Sequence, residues 1–260
     1  MIWTIILGLV QATTEFLPIS SSAHLLILPW LFGGADKGLA FDASLHIGTA
    51  IALVIYFWPD FISLIKKRDR MLRLILIASI PGGVIGFFGE KLIESLFHDG
   101  SAAIAIAAIG MLLTTIVIWQ IDTHAKLNRR LDQMSQKQAL AIGLAQALAL
   151  VPGTSRSGAT IAAALAFGYD RASATRFSFL LGTPIALGAG LYKLKDIIGN
   201  GAGLNAMGLD VLLGIVVSAI GGFIVIRWLL QYVQRHSLRA FLLYRLGFSL
   251  IILLVWLWRS

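Results

Sequence analysis

The sequence predicts an all-α polytopic membrane protein with six transmembrane helices, two re-entrant helical hairpins and inverted-topology repeats. The composition, the lengths of the apolar segments and an internal repeat lead to this prediction. Of the 260 residues, 58% are hydrophobic and 13% are charged, and the mean hydropathy is +0.85. Because soluble domains are about 45–50% apolar and about 25% charged, this composition indicates a chain that lies in a bilayer.

Six apolar segments approach the length of about 20 residues that a helix needs to cross the hydrocarbon core of a membrane. The predicted spans are 43–58, 71–90, 101–121, 176–193, 208–229 and 240–258. The first of them is the shortest, so its beginning is the least defined boundary.

Four further apolar stretches are too short to cross a bilayer, namely 2–17, 19–33, 138–151 and 157–168. They form two pairs, which are interrupted by Pro18 and Pro152, and polar residues follow each proline. An irregular backbone is tolerated at membrane depth only where it is buried in protein or borders a wet cavity. We therefore expect each pair to form a re-entrant hairpin.

The chain also repeats itself at a nearly constant spacing. "GLVQA" at 8–12 matches "GLAQA" at 143–147, and "GTAIAL" at 48–53 matches "GTPIAL" at 182–187. The first match is offset by 135 residues and the second by 134. This pattern predicts one membrane domain, 1–260, made of repeats 1–128 and 135–260. Because each repeat would hold three spans, the two copies should have opposite orientations.

The basic residues agree with that topology. Of the 21 lysines and arginines, 15 fall in segments that we place in the cytoplasm, 60–73, 122–137, 168–176 and 227–245. Five fall outside, and Arg156 is the only one left away from a membrane surface. Both termini are then predicted to lie outside the cell. The net charge of +8 follows from the positive-inside rule, so no nucleic-acid partner is expected.

The chain contains no cysteine, which excludes disulfides, thiolate catalysis and cysteine-based metal sites. The first hairpin carries "QATTEFLPISSSAH" at 11–24, in which Glu15 is the only acidic residue of either hairpin. His24 lies four residues after Ser20 and three after Ser21, so either hydroxyl could face the imidazole on a helix.

The second hairpin carries "PGTSRSGAT" at 152–160. We expect helices to begin near Ser20 and Ser155, and free N–H groups at helix N-termini bind anions. Arginine binds phosphate through two parallel hydrogen bonds. Burial of Arg156, which costs about 3 kcal/mol on insertion scales, would be offset by an anionic ligand or by Glu15. Together these features describe a phosphate or diphosphate site.

The two motifs resemble the signatures of the undecaprenyl-diphosphate phosphatase family, the bacitracin-resistance type. "FDASLHIGT" at 41–49 and "RFSFLLGTP" at 176–184 also resemble family segments. The resemblance implies hydrolysis of undecaprenyl diphosphate to the monophosphate carrier lipid of cell-wall synthesis, in the plasma membrane of a bacterium. It transfers functional roles to Glu15, Ser21, His24, Ser155, Arg156, Ser157 and Thr160.

This chain departs from the family pattern in two places, and a third position bears on metal binding. Gln11 stands where the family has Glu or Gln, which argues against a metal site built on two carboxylates, and Ala12 and Ala23 stand where glycine is usual. We expect catalysis from Ser21, His24, Glu15 and Arg156. The residues expected to bind substrate are Gln11, Ser20, Ser22, Gly153, Thr154, Ser155, Ser157 and Thr160.

Three catalytic schemes remain open from the sequence. Ser21 attacks with His24 as its base, or His24 is itself the nucleophile, or a metal-bound water attacks. Glu15 would orient His24 or help to hold a divalent cation, Mg²⁺ or Ca²⁺, and no organic cofactor is expected. His46 is interpreted as a packing residue.

A different class of function shares the predicted architecture. Inverted repeats with broken helices are also typical of transporters, so the alternative is a transporter or flippase for an anionic or lipid-phosphate substrate. Such a protein would need the arginine and the helix ends but not a Ser–His pair, and this pair favours the enzyme. The expected partners are a polyprenyl diphosphate lipid and the bilayer, and a homodimer is left open.

Overall fold

The structure is a computed structural model that describes residues 1–34, 37–97, 100–199 and 208–259. Within these ranges the regular elements are helices, apart from one isolated bridge between Arg129 and Tyr169. The α-helices are α1 Ile2–Thr14, α2 Ser21–Phe32, α3 Gly38–Lys66, α4 Arg70–Phe97, α5 Gly100–His124, α6 Gln136–Leu148, α7 Arg156–Ala166, α8 Arg171–Gly199, α9 Gly208–Tyr232 and α10 Arg239–Arg259. The all-helical prediction is confirmed for this part of the chain.

Five segments are long and apolar enough to cross a membrane, judged by length and composition: Phe41–Lys66, Arg70–Gly89, Ala102–His124, Gly208–Tyr232 and Arg239–Arg259. They correspond to five of the six predicted spans. The predicted span 176–193 lies within α8, which is not among the five. Thr175, Ser178 and Thr183 of this helix are buried in the protein interior. The sixth span therefore stays a prediction.

The short helices expected on either side of each proline are present. We call residues 15–20, between α1 and α2, the first break, and residues 149–155, between α6 and α7, the second break. Each break ends in a serine whose φ is positive, 73° at Ser20 and 68° at Ser155. A non-glycine residue in this region is strained, by of order 1–3 kcal/mol, and such residues cluster at functional sites.

The two halves of the chain exchange packing partners. Helix α1 lies against α9, α6 lies against α4, and α3 packs against α9. Glycines allow these close approaches, because a Cβ at Gly48 would overlap Ser218 of α9 and a Cβ at Gly143 would overlap the backbone of Ala78 in α4. Each half therefore packs its first short helix mainly against a long helix of the other half.

An aromatic core holds the end of the first break in place. Phe16 is fully buried and meets Phe179 of α8 edge-on, with ring centroids 5.5 Å apart. Phe57 of α3 also packs on Phe179. Since Phe16 follows Glu15 directly, this packing fixes the position of the Glu15 carboxylate.

Candidate active site

The carboxylate of Glu15 joins the two predicted motifs. Its Oε1 accepts a hydrogen bond from Nη2 of Arg156 at 3.0 Å, and its Oε2 accepts one from the hydroxyl of Ser21 at 2.7 Å. The side chains of Glu15 and Arg156 are only 10% and 15% exposed. Glu15 and Arg156 lie 141 residues apart in sequence, so the fold brings together an acid, a hydroxyl and an arginine from separate breaks.

Two polar side chains of the first half extend this network. Gln11 donates from Nε2 to Glu15 Oε2 at 3.2 Å, and the same nitrogen lies 2.8 Å from Nδ1 of His46. His46 Nδ1 is 3.4 Å from Glu15 Oε2, and the His46 side chain is 41% exposed. Helix α3 carries the imidazole of His46 against the end of α1, a polar contact that the interpretation as a packing residue did not include. The place of His46 in the segment "FDASLHIGT" was the available signal.

The guanidinium of Arg156 has a second nitrogen with no partner. Nη1 is buried and makes no hydrogen bond to any described residue. The backbone of Gly182 lies directly against it, and a Cβ at that position would overlap the guanidinium. A buried cationic donor without an acceptor is costly, so this nitrogen is the natural contact for an anionic ligand.

His24 has partners that its spacing in the sequence did not predict. Its Nδ1 lies 2.7 Å from the backbone carbonyl of Ser20, and its Nε2 lies 2.8 Å from the hydroxyl of Tyr244 in α10. The ring stacks on Phe248 with centroids 4.6 Å apart and is 2% exposed as a residue. The expected contact between His24 and the hydroxyl of Ser20 or Ser21 is absent from the described contacts, because both ring nitrogens are already engaged.

The other predicted residues of the first break stay near this network. The hydroxyls of Ser20 and Ser22 lie 3.4 Å apart, and Ser22 is exposed. Ser20 makes no side-chain cap to α2. Their hydroxyls are therefore placed at the start of α2, on the same turn as Ser21.

The second break uses its hydroxyls mainly to fix the backbone. Ser155 caps α7, because its Oγ accepts a hydrogen bond from the N–H of Gly158 at 3.2 Å. Ser157 donates to the carbonyl of Leu17 in the first break at 3.1 Å. Thr160 is bonded to Ser178 of α8 at 2.6 Å. Ser157 and Thr160 are fully buried, so the structure shows them joining elements.

Thr154 and Gly153 complete the predicted set. The hydroxyl of Thr154 donates to the carbonyl of Val151. Gly153 has φ of 87°, and a Cβ there would overlap the carbonyl of Ala107 in α5. The glycine is thus required both by its backbone angle and by the close approach of α5.

Arg245 in α10 is a second buried arginine. It is fully buried, and its guanidinium donates to the carbonyls of Pro18 and Gly153, one in each break, at 2.9 Å. The charge count places Arg245 in a cytoplasmic segment, whereas the structure buries its side chain in the protein, so Arg156 is not the only buried arginine. Arg245 lies near the beginning of the last predicted span, and its position inside an apolar segment was the signal that the charge count overlooked.

The described residues do not form a dedicated metal site. No group of three or more His, Cys, Asp or Glu side chains that could hold a metal ion occurs among them. Glu15 is the one carboxylate in the network, and both of its oxygens already accept hydrogen bonds. Mg²⁺ in such sites is usually held by one or two carboxylates together with substrate phosphates.

Comparison with known proteins gives a consistent result. The sequence profile of the family described as "Bacitracin resistance protein BacA" matches residues 4–251. Three relatives carry the name "Undecaprenyl-diphosphatase". The one from Thermomicrobium roseum is 42% identical, with 96% of each chain covered. Those from Desulforudis audaxviator and Moorella thermoacetica are each 41% identical, with 98% of each chain covered.

Proposed function

Because this chain belongs to the BacA family of bacitracin resistance proteins, it is a multi-pass membrane phosphatase that hydrolyses undecaprenyl diphosphate, and we propose that the network around Glu15 carries out the reaction. The product, undecaprenyl phosphate, is the recycled lipid carrier of cell-wall synthesis. The names of the relatives favour this enzyme over the transporter that shares the predicted architecture.

One observation supports the site most strongly. Glu15 contacts the hydroxyl of Ser21 and the guanidinium of Arg156 at the same time. A carboxylate at 2.7 Å from a hydroxyl can accept its proton as the hydroxyl attacks. An arginine beside it can stabilise the charge on the phosphoryl group that is transferred. Nucleophile, base and anion binder thus share one set of contacts.

In the proposed first step, Oγ of Ser21 attacks the terminal phosphorus of the diphosphate. The bond between that phosphorus and the bridging oxygen breaks, and undecaprenyl phosphate leaves with the bridging oxygen. The proton of Ser21 passes to Oε2 of Glu15. Nη1 of Arg156, together with the N-termini of α2 and α7, binds the oxygens of the terminal phosphate.

In the second step, water hydrolyses the phosphoserine. Before this step, Glu15 gives the proton that it took from Ser21 to the leaving undecaprenyl phosphate. The water then attacks phosphorus and gives a proton to Glu15, the bond between phosphorus and Oγ of Ser21 breaks, Glu15 passes that proton to Oγ, and inorganic phosphate leaves. Attack by His24 would require the imidazole to give up its contact with Tyr244 or with the Ser20 carbonyl. Ser21 has a base beside it in the resting structure, and this supports Ser21 as the nucleophile.

The role of a divalent cation is a separate proposal. Glu15 is the one carboxylate that is hydrogen-bonded within the described network, so we propose that any Mg²⁺ or Ca²⁺ used by the enzyme arrives bound to the diphosphate. No step above depends on it. Phosphate release measured with and without a chelator, at fixed undecaprenyl diphosphate, tests this proposal.

We further propose that the two halves have opposite orientations in the bacterial plasma membrane, with both termini outside. The exchange of α1 onto α9 and of α6 onto α4 supports this arrangement, because each half performs the same exchange. Cysteines introduced singly at Ser63 and Asn128 into the cysteine-free chain should both react with impermeant reagent only from the cytoplasm. Reaction from outside would contradict the orientation.

The test of the reaction itself is rapid quenching with undecaprenyl diphosphate labelled in the terminal phosphate. Label should be trapped on Ser21 and should be lost in Ser21→Ala. Label on His24 would show that histidine is the nucleophile. If phosphate is released but no label is found on the protein when the reaction is quenched before the steady state, direct attack by water is favoured instead.

A further inference from the structure

Arg245 belongs to neither sequence motif, yet it is the most completely enclosed charged side chain of the described structure, with 0% exposure. Each of its hydrogen bonds ends on a neutral oxygen. Nε donates to the Thr115 hydroxyl at 2.9 Å, Nη1 to the Pro18 carbonyl at 2.9 Å, and Nη2 to the Gly153 carbonyl at 2.9 Å. Further acceptors around Nη2 are Met111 O, Thr114 Oγ1 and Thr154 O.

The positions of these carbonyls matter more than their number. Pro18 lies two residues before Ser20, and Gly153 lies two residues before Ser155. Those serines have positive φ and immediately precede the first residues of α2 and α7, which are Ser21 and Arg156. One guanidinium thus ties together the approach to both helix N-termini, while Nε anchors it to α5.

We propose that Arg245 is a positioning residue for the phosphatase reaction, holding the two breaks in register so that the N-termini of α2 and α7 converge on the same phosphate. This inference rests on the proposed function of the site. No described carboxylate neutralises Arg245, and the carbonyls of the two breaks are its acceptors instead. Loss of the cation would free those carbonyls, and the breaks could then move relative to each other.

Lysine cannot replace arginine in this role. The contacts to α5, the first break and the second break come from three different nitrogens of a rigid planar group. A lysine ammonium donates from a single nitrogen on a flexible stem. Arg245→Lys therefore keeps the buried charge but should lose the simultaneous hold on both breaks.

The experiment combines kinetics with a distance measurement. Spin labels are attached to cysteines introduced at Thr13 and Val151, which are exposed next to the first break and in the second; the native chain has no cysteine. The labelled parent, Arg245→Lys, Arg245→Gln and Thr115→Val are purified and compared. Thr115→Val is the matched control, because it removes the contact of Arg245 Nε with α5 and leaves the contacts with the carbonyls of Pro18 and Gly153.

In Arg245→Lys, we expect kcat to fall about 100-fold, as displacement of reacting groups by about 1 Å can cause, with KM little changed. The distance distribution between the labels should broaden. Arg245→Gln should show the same two changes more strongly or fail to fold, whereas Thr115→Val should keep nearly all of the kcat and the narrow distribution.

Arg245→Lys with the parent kcat and the parent distance distribution would overturn the inference. A higher KM with an unchanged kcat and distance would overturn it too, because it would assign Arg245 to attraction of the charged substrate. The distance does not depend on turnover. A labelled parent that is inactive on undecaprenyl diphosphate but shows the broadening on substitution would count against the proposed function and still support the coupling of the breaks.

Discussion

The two breaks have similar backbones and different chemistry. Each ends in a serine with positive φ, Ser20 or Ser155, and a short helix begins at the next residue. Yet α2 begins with the hydroxyl of Ser21 and α7 begins with the guanidinium of Arg156. The two breaks therefore present a helix N-terminus in the same way, and they differ in the side chain placed there: the proposed nucleophile Ser21 in the first and the cation of Arg156 in the second.

The difference extends to the helices behind the breaks. At the repeat offsets, Glu15 and His46 correspond to Leu150 and Leu180, whereas Gln11 and Thr49 correspond to Gln146 and Thr183. Gln11 has three described partners. Both amide atoms of Gln146 are buried without a hydrogen-bond partner among the described residues. At these positions the second half keeps the glutamine and the threonine and has leucine in place of the acid and the imidazole.

The largest expected effect comes from removing the carboxylate of Glu15, which has no counterpart at the corresponding position of the second half. Glu15→Gln should lower kcat by about 10²–10⁴-fold, the usual worth of a general base. It should also lower the free energy of unfolding by about 3–5 kcal/mol, because it leaves a buried arginine unpaired. Phosphate release and denaturant titration measure the two effects. Leu150→Gln, at the corresponding position, is the control and should retain its activity.

Substitution of Arg156, the cation of the second half, should lower kcat nearly as much. Arg156→Lys removes the planar fork and should reduce kcat by about 10²–10³-fold, as loss of one transition-state donor does. The control is Arg171→Lys, since Arg171 pairs with Asp122 away from the network. Steady-state kinetics of both variants decide the matter. Near-normal kcat in Arg156→Lys would show that the reaction needs only a positive charge at this position and not the planar guanidinium.

A smaller change tests how Arg156 is aimed. Gly182→Ala adds a Cβ that would overlap the guanidinium, whereas a Cβ at Gly188 on the same helix meets no atom within 4 Å. We expect Gly182→Ala to lose activity by up to about 100-fold, the cost of misplacing a catalytic group by about 1 Å. Gly188→Ala should behave like the parent. Equal activities for the two variants would show that close contact between the Arg156 guanidinium and the backbone of Gly182 is not needed.

The smallest expected change in kcat comes from substituting the two corresponding glutamines, Gln11 and Gln146, which should respond differently. Gln11→Leu removes hydrogen bonds to Glu15 and Thr49 and the contact with His46, so it should reduce kcat without abolishing it. Gln146→Leu should leave kcat unchanged and raise the free energy of unfolding by about 1–3 kcal/mol, because it removes an unsatisfied buried amide. Thermal unfolding and phosphate release on both variants provide the comparison. Loss of activity in Gln146→Leu would show that the second half has a chemical role of its own.

Local sequence patterns predicted the features of this site that depend on residues close together in the chain. Pro18 and Pro152 marked the two breaks, and the isolated charges within apolar stretches indicated that Arg156 pairs either with an anionic ligand or with Glu15. Contacts between distant helices were not accessible in this way. His46 reaches Glu15 from α3, and Tyr244 and Arg245 reach the site from α10, and nothing in the local spacing of these residues determines which neighbour they meet.

His24 shows a second limit. Helical spacing placed it near Ser20 and Ser21, and it is near them, but a hydrogen bond also depends on rotamers. The imidazole meets the backbone carbonyl of Ser20 and the hydroxyl of Tyr244, and Ser21 turns to Glu15 instead. Spacing along a helix thus defined the residues of the site more reliably than it defined their partners.

The packing of α1 against α9 has a consequence for how the protein is made. Helix α1 ends at Thr14 and α9 ends at Tyr232, so ribosomes must add more than 200 residues before the first short helix meets its partner. At about 5–20 residues per second, that wait lasts about 10–40 s. During this time the segment formed by α1 and Glu15, which is too short to span the bilayer, lacks the helix against which it packs in the folded protein. Its insertion must therefore be late, reversible or assisted by the translocation machinery, and nascent chains truncated before α9 should be targets for membrane quality-control proteases.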